Sequence, residues 1–297
     1  MKRDFNKIIA LFTNMKKRGS SEITQKVIEY LQNRRVTVIA REEEATQLNI
    51  PFLHSIEPNK IDFLISLGGD GTILRMIHHF PYLNAPILGI NLGHLGFMAD
   101  VPLSHLYPSL DQLLNGSYTI QERLTMEGMI SDKQAIFAIN EIVIHRSRNS
   151  SLVDLSIHVD GKYLNTFCAD GIIISTPNGS TAYSLAAGGP ILTPVLQAIV
   201  ITPINPHTIS NRPIVLLPSD KIEIQYLSPY NPVEVTCDGF SSHPLATHEI
   251  VSMSCAKRKF KMVHLAHSDF FSTLRSKLGW TGQLRYNDLN HPNEYRD

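Results

Sequence analysis

The sequence predicts an α/β plus β-rich protein: a Rossmann-like α/β domain first, an all-β-like domain second, and a C-terminal tail that returns to the first. Three observations predict it. Over the first ~115 residues, apolar β-branched runs alternate with segments of helical periodicity, as in a parallel, doubly wound sheet. After Gly116, short runs separated by turn residues take over. Helical periodicity then comes back near the end.

In chain order, Lys7 to Thr13 reads as the first strand. Its apolar run, Ile8 to Phe12, is too short for a signal-peptide core or a membrane span. A helix is expected over Ser21 to Gln32, with Ser20 or Ser21 as its N-cap, and a β-branched strand over Val36 to Ala40. Ile61 to Leu67 is a near-continuous apolar strand that enters a glycine turn, and Ile73 to His79 is a helix stopped by Pro81. Pro86 to Asn91 supplies another buried strand and Leu103 to Leu114 another helix. Beyond Gly116, Ala135 to Ile139, Glu141 to His145, Leu155 to Val159 and Gly171 to Ser175 read as strands, and Asp160-Gly161 as a hairpin turn. Thr181 to Ala187 is helix-capable, and the helical tail from His267 to Trp280 is expected to pack back on the first domain. The division expected is 1–120 for the α/β domain, 121–265 for the β-rich domain and 266–297 for the closing segment.

Composition narrows the function. The 297 residues are 43% hydrophobic, enough for a substantial core. Lys plus Arg equals Asp plus Glu at 27 each, so there is no bulk attraction for nucleic acid or an anionic membrane, and any phosphate binding must be local. Cys168, Cys237 and Cys255 are too widely spaced for a structural zinc site and fit a reducing, cytoplasmic setting. Thirteen histidines include no HExxH, and His264 with His267 make only a loose pair, which favours surface or packing roles.

Leu67-Gly68-Gly69-Asp70-Gly71-Thr72 stands where an open α/β sheet places its ligand, between a strand's carboxyl end and a helix start. Glycines there let backbone N–H groups approach an anion, and the helix start adds partial positive charge. Leu74 occupies the place of the third glycine of a dinucleotide fingerprint, and the chain has no GxxxxGK[ST]. Asp70 is an acid inside an anion-binding turn. It could hold Mg²⁺ beside a polyphosphate, accept the proton of an attacking hydroxyl, or simply cap the helix. Arg75, one turn later, could steady a phosphate or be a solvated helix arginine.

Gly68 to Thr72, Asn140-Glu141, Asp170-Gly171 and the run Thr176-Pro177-Asn178-Gly179-Ser180-Thr181-Ala182-Tyr183-Ser184-Leu185-Ala186-Ala187-Gly188-Gly189-Pro190 together resemble the bacterial NAD kinase family in order and spacing. His207 to Pro213 and the ending Phe271 to Trp280 extend the likeness over most of the chain. The glycine turn alone is shared with diacylglycerol and sphingosine kinases, whereas the Thr176 to Pro190 run is specific.

Physically, Pro177 to Ser180 is a turn cluster, and Ser180 or Thr181 could cap a short helix whose N–H groups face a ligand. Tyr183 could stack on an adenine or ribose, or be core. Asn140 could read adenine and Glu141 accept from a ribose hydroxyl, or the pair could be a plain turn.

The resemblance implies phosphorylation of the adenosine 2′-hydroxyl of NAD to give NADP. It places the NAD site at Asn140, Glu141, Cys168, Asp170, Thr181, Ala182, Tyr183, Ser184, Leu185, Ala186 and Asp238. It puts Asp70 beside the adenosine ribose as catalytic base. The phosphates of ATP or another polyphosphate would lie on Gly68, Gly69, Gly71 and Thr72, with Arg75 nearby, and Mg²⁺ or another divalent cation would be carried by those phosphates. A homodimer or homotetramer is implied, with no nucleic-acid or membrane partner. Four positions depart from the family pattern: Cys168, Asn178, Ala186 and Phe240. The rival readings are a lipid or sugar kinase sharing the turn, and a nucleotide-binding sensor without catalysis.

Overall fold

Near the N-terminus the strands are apolar on both faces and therefore need cover on both sides. Strand β1 (Ile8–Thr13), helix α1 (Ser20–Gln32), β2 (Thr37–Ala40), α2 (Glu42–Leu48), β3 (Phe63–Gly68), α3 (Asp70–His79), β4 (Ile87–Asn91), β5 (Val101–Pro102) and α4 (Leu106–Asn115) supply strands and cover in alternation. Every residue of β3 and β4 is buried, the mark of a parallel sheet sandwiched between helices. The computed structural model describes residues 7–93, 95–147, 151–208, 210–229 and 232–280. Positions 1–6, one position of the His207 to Pro213 stretch, and 281–297 of the expected closing segment lie outside the described residues.

The first sheet has the order β2-β1-β3-β4, with β5 beside β4, all parallel. From β1 the chain crosses to one side for β2 and to the other for β3, so the sheet reverses direction between β1 and β3. Helices diverge at such a point and open a crevice at the strands' carboxyl ends. Thr13 and Leu67, paired across it, mark the floor.

A β-rich unit follows β6 (Tyr118–Arg123). It contains β7 (Met126–Ile130), β8 (Gln134–Ala138), β9 (Glu141–His145), β10 (Val153–Val159), β11 (Lys162–Ala169), β12 (Gly171–Ser175), the four-residue helix α5 (Tyr183–Ala186), β13 (Ile199–Ile204), β14 (Ile214–Leu216), β15 (Ile222–Tyr226), β16 (Val233–Cys237), β17 (Ser241–Leu245) and β18 (Ile250–Cys255). They form two antiparallel sheets, β11-β10-β15-β18-β7-β8 and β14-β13-β12-β9-β16-β17. Ile142, Ile144, Ile172 and Ile174 of one sheet meet Leu155, Ile157, Ile224 and Val251 of the other in a shared core. Asp160 and Gly161 make the expected hairpin, both with positive φ, between β10 and β11.

The chain then returns. Strand β19 (Phe260–Leu265) enters the first sheet between β4 and β6, parallel to the former and antiparallel to the latter, with Phe260 opposite Arg123. The β-rich unit is thus inserted between two neighbouring strands of the α/β sheet. Helix α6 (Phe270–Leu278) starts at an N-cap, Asp269, whose carboxylate accepts from the N–H groups of Phe271 and Ser272. Phe270 packs on Phe97 at 5.8 Å, and His267 stacks on His105 at 5.1 Å, so the tail lies against the first unit.

Some elements differ from the expectation. Helix α1 has no serine cap: Gly19, at φ 77°, turns the chain directly into the helix, and Ser20 is buried as the first helical residue. Helix α2 was not anticipated, since Glu42-Glu43-Glu44 obscures its apolar face; three acids suit a helix N-terminus. Strands β6 and β19 were missed, β6 because it is largely polar.

Gly89 in β4 lies directly against the segment that follows the next turn: a Cβ there would stand 2.5 Å from the Met98 carbonyl oxygen and 2.8 Å from the Ala99 Cα. Both obstacles are backbone. We expect Gly89→Ala to lower stability by about 1–3 kcal/mol, read as an earlier urea midpoint. An unchanged midpoint would show that residues 98–99 give way freely.

Candidate functional site

At the carboxyl end of β3, Asp70 is the first residue of α3 after an extended Gly69, and its side chain does not cap the helix. It reaches instead into the loop before β5. Oδ2 accepts the Phe97 N–H at 2.9 Å, and Oδ1 accepts those of Met98 and Ala99 at 3.0 and 2.8 Å. Gly96 closes the cradle, since a Cβ there would overlap the carboxylate. The acid is thereby fixed in place, with Oδ2 carrying one donor against two on Oδ1. Thr72 turns its side chain toward Gly68.

Two cations near this turn escaped the sequence reading. Lys17, in the loop after β1, reaches over it with Nζ 3.4 Å from the Gly68 carbonyl oxygen, and Arg41, after β2, pairs with Glu44. Lysine in a loop gives no pattern; only the strand order brings it to Gly68. Between α3 and the carboxyl ends of β1 and β2 lies a cavity of about 500 Å³, lined among others by Asn14, Arg41, Thr72, Arg75 and Phe80. It opens on the α2 and α3 side of the sheet, next to the reversal of strand order between β1 and β3.

The second half of the site is the turn from β8 into β9. Asn140 and Glu141 are held there by Asp238, a residue of positive φ between β16 and β17. Its Oδ1 accepts from the N–H groups of Asn140 (2.8 Å) and Glu141 (3.0 Å), and its Oδ2 from Ile139 N–H (2.7 Å) and His78 Nε2 (2.7 Å). With four donors and a side chain 0% exposed, Asp238 presents nothing to a ligand. It was expected in the NAD-binding set; its place is behind that set, shaping the turn.

In front of Asp238, Asn140 Oδ1 and Glu141 Oε2 are buried without a hydrogen-bond partner among the described residues. Adjacent orphaned acceptors are costly and ask for a ligand that donates. Burial, helped by the neighbouring Asp238 charge, pushes the Glu141 carboxyl up to about 8, while a hydrogen bond from the Tyr183 main chain opposes the shift.

The Thr176 to Pro190 run wraps this turn. Thr176 is buried and ties to that turn: its hydroxyl donates to the Ile139 carbonyl at 2.7 Å and its N–H to that of Asn140 at 2.9 Å. The expected serine or threonine cap of a ligand-facing helix is absent. Residues Gly179–Thr181 form a 3₁₀ turn and α5 has Ala182 at its N-cap position with no side-chain cap. Ser180 is instead buried, donating to the Pro177 carbonyl and accepting the Leu192 N–H. Ser184 is likewise buried, 3.0 Å from the Thr202 hydroxyl, so Tyr183 and Ala186 form the open side of α5, with Thr181, Ala182 and Leu185 half-buried.

Asn178 joins the two halves. Its Oδ1 accepts from Arg123 Nη1 at 3.0 Å, and its Nδ2 points at Met98 Sδ, 3.2 Å away, beside the Asp70 cradle. Burial pushes the Arg123 guanidinium down to about 10, opposed by Asp100.

Two expected residues lie elsewhere. Cys168, in β11, and Asp170, just before β12, lie at the opposite end of β12 from Ser175, the partner of Glu141; Asp170 pairs with Arg146 at 2.9 Å and accepts from Asn205 at 3.0 Å. Five strand residues at ~3.3 Å each separate them from the Glu141 end, on the order of 15 Å. Burial and the facing Asp154 raise the Cys168 thiol. Phe240 is partly exposed and rests on His78, at 5.2 Å between rings.

Comparison with known proteins now bears on this geometry. Residues 9–118 match the family described as the ATP-NAD kinase N-terminal domain, and 139–265 match the ATP-NAD kinase C-terminal domain. The chain is 55% identical to an NAD kinase of Protochlamydia amoebophila, over 94% of this chain and 100% of that one. It is 37% identical to an NAD kinase of Moorella thermoacetica, over 95% and 92%. Among solved structures, yeast NADH kinase complexed with NADH superposes with a TM-score of 0.80 at 25% identity, covering 94% of this chain and 89% of that one. An Archaeoglobus fulgidus NAD kinase in complex with ATP shares the fold, with a TM-score of 0.71 at 23% identity over 92% and 97%.

Because Glu141 holds its proton more tightly folded than unfolded, its contribution favours the folded state in acid and is lost as pH rises from about 4.5 to about 8. Glu141→Gln should therefore flatten the pH dependence of stability of the ligand-free protein, gaining on the parent at pH 8.5 relative to pH 5. Urea titrations at the two pH values check this, and parallel curves would place the proton on another group.

Proposed function

The chain belongs to the NAD kinase family, and from that premise we propose that it transfers the terminal phosphoryl group of ATP to the adenosine 2′-hydroxyl of NAD, yielding NADP. One observation carries the residue assignment: Asn140 Oδ1 and Glu141 Oε2, on consecutive residues, are buried without hydrogen-bond partners among the described residues. An adenosine supplies matching groups, an exocyclic amine that donates to Asn140 and a ribose hydroxyl that can donate to or accept from the Glu141 carboxyl. A diacylglycerol offers no such pair, which disfavours a lipid kinase, and the fixed Asp70 disfavours a mere sensor.

The donor would lie with its phosphates along Gly68, Gly69, Gly71 and Thr72, under Lys17 and Arg75, and its nucleoside in the cavity between α3 and the strand ends. Among the described residues no three His, Cys, Asp or Glu side chains converge as a metal site. A divalent cation such as Mg²⁺ would be carried on the phosphates beside Asp70, where it would neutralise developing charge. NAD would sit across the gap bridged by Asn178, its adenosine on Asn140, Glu141 and the open face of Thr181 to Ala186, its other half directed toward Cys168 and Asp170.

In this arrangement Asp70 orients the 2′-hydroxyl and takes its proton on Oδ2, the oxygen with the single main-chain donor. The transition state of phosphoryl transfer is loose, so positioning and charge neutralisation dominate and the base adds about 10²- to 10⁴-fold. The α/β sheet, with β6 and β19 as its closing strands, would be the donor unit, the two antiparallel sheets built from β7 to β18 would be the NAD unit, and the segment from 266 on would close the chain. The reading adds a cytoplasmic homodimer or homotetramer working in NADP biosynthesis. No helix among the described residues is long and apolar enough to cross a membrane.

Supplying the purified protein with NAD, Mg²⁺ and either ATP or inorganic polyphosphate, and measuring NADP, tests the reaction and the donor together. Asp70→Asn should lower kcat by about 10²- to 10⁴-fold while the NAD dissociation constant changes by less than about threefold. Turnover close to that of the parent would take Asp70 out of the reaction.

A further inference from the structure

Helix α3 carries Asp70 at its first residue and His78 in its last turn. The first belongs to the phosphate turn. The second leaves the α/β unit altogether: His78 Nε2 lies 2.7 Å from Asp238 Oδ2, in the turn between β16 and β17 of the β-rich unit. Asp238 passes that connection on, because the same carboxylate grips the N–H groups of Ile139, Asn140 and Glu141. One helix, one hydrogen bond and one carboxylate therefore run from the phosphate turn to the pair of orphaned acceptors.

Each part of this connection is stiff. An α-helix rises ~1.5 Å per residue, so the span from residue 70 to residue 78 is about 12 Å and hardly variable. The His78 ring is 17% exposed and wedged edge-on against Phe137 at 5.6 Å and on Phe240 at 5.2 Å. An imidazole N–H bonded to a carboxylate is among the stronger hydrogen bonds, whereas the parallel link through Asn178 ends on a thioether sulfur, a weak acceptor. The His78–Asp238 bond is the stronger of these two links. Phosphoryl transfer needs the hydroxyl within about 3–3.5 Å of the phosphorus-bearing group, so a small error in the separation of the two units is costly.

We propose that His78 is a positioning residue for NAD: through Asp238 it fixes the Asn140–Glu141 turn at a set distance from the phosphate turn on its own helix. This rests on the assignment of Asn140 and Glu141 to the adenosine. Phe240 acts with it, as the lid that holds the ring on Asp238. Since Asp238 would keep three donors without His78, the turn would survive but lose its tie to α3.

Two variants separate the hydrogen bond from the bulk of the ring. His78→Gln keeps an N–H donor near the Nε2 position; His78→Leu keeps apolar volume and has none. In steady-state assays with NAD, ATP and Mg²⁺, His78→Leu should raise the KM for NAD by about ten- to a hundredfold and leave the KM for ATP within about twofold, and His78→Gln should recover most of the loss. Calorimetric titration of NAD without ATP should show the same order, and Asn140→Ala should lose NAD affinity in parallel. Equal behaviour of the Gln and Leu variants, or equal rises in both KM values, would reduce His78 to packing and overturn the proposal. Loss of NAD affinity in Asn140→Ala but not in His78→Leu would sink the role of His78 alone; unchanged affinity in Asn140→Ala would remove the adenosine assignment and this proposal with it.

Discussion

The site depends on carboxylates that bind the protein's own backbone. Asp238 collects three successive N–H groups at the start of β9, and Asp70 collects three in the loop before β5. Backbone N–H groups are obligatory donors, and a turn that cannot satisfy them internally needs an acceptor from elsewhere. An ionised carboxylate is the best acceptor available, and a string of neutral N–H groups offsets its burial without importing a counter-charge. Each acid thus defines a turn of unusual shape. The two turns are the walls between which a phosphate and a hydroxyl would meet.

That economy explains the electrostatics. Because Asp238 uses up the donors at the β8–β9 turn, Glu141 beside it has burial and a neighbouring negative charge to contend with, and it answers by keeping its proton to about pH 8. Arg123, at the end of β6, is held as a buried cation between Gln121 and Asn178 and gives up part of its basicity for it. Both shifted groups border the turn from Thr176 to Asn178, through Asn178 for Arg123 and through the Asn140 carbonyl for Glu141, and shifted ionisable groups cluster at binding sites.

Much of this was legible in the amino-acid order, and the remainder was not for identifiable reasons. Buried parallel strands such as β3 and β4 announce themselves by continuous apolar runs, and the glycine turn by an acid among glycines. Strand β6 does not, because its residues Tyr118, Thr119, Gln121 and Glu122 leave no unbroken apolar stripe. The run from Thr176 to Pro190 was recognisable as a motif, yet which hydroxyls would face inward depended on Leu192 and Thr202, contributed by later chain. Lys17 and His78 were invisible for a similar reason. Each gains meaning only from a partner brought in by tertiary structure: Gly68 fifty-one positions on for the lysine, Asp238 one hundred and sixty positions on for the histidine.

The insertion of the β-rich unit between β6 and β19 has an effect on how the chain comes to be folded. During synthesis the α/β sheet remains incomplete until Phe260–Leu265 has left the ribosome, while every strand of the sandwich, from Met126 to Cys255, is already available. Domains generally fold as units, and contacts between distant positions form slowly. The sandwich can therefore condense first and hold the ends of β6 and β19 close together, turning a closure over more than a hundred residues into a short one. Of the described strands, the last to be made is the one that locks the first sheet.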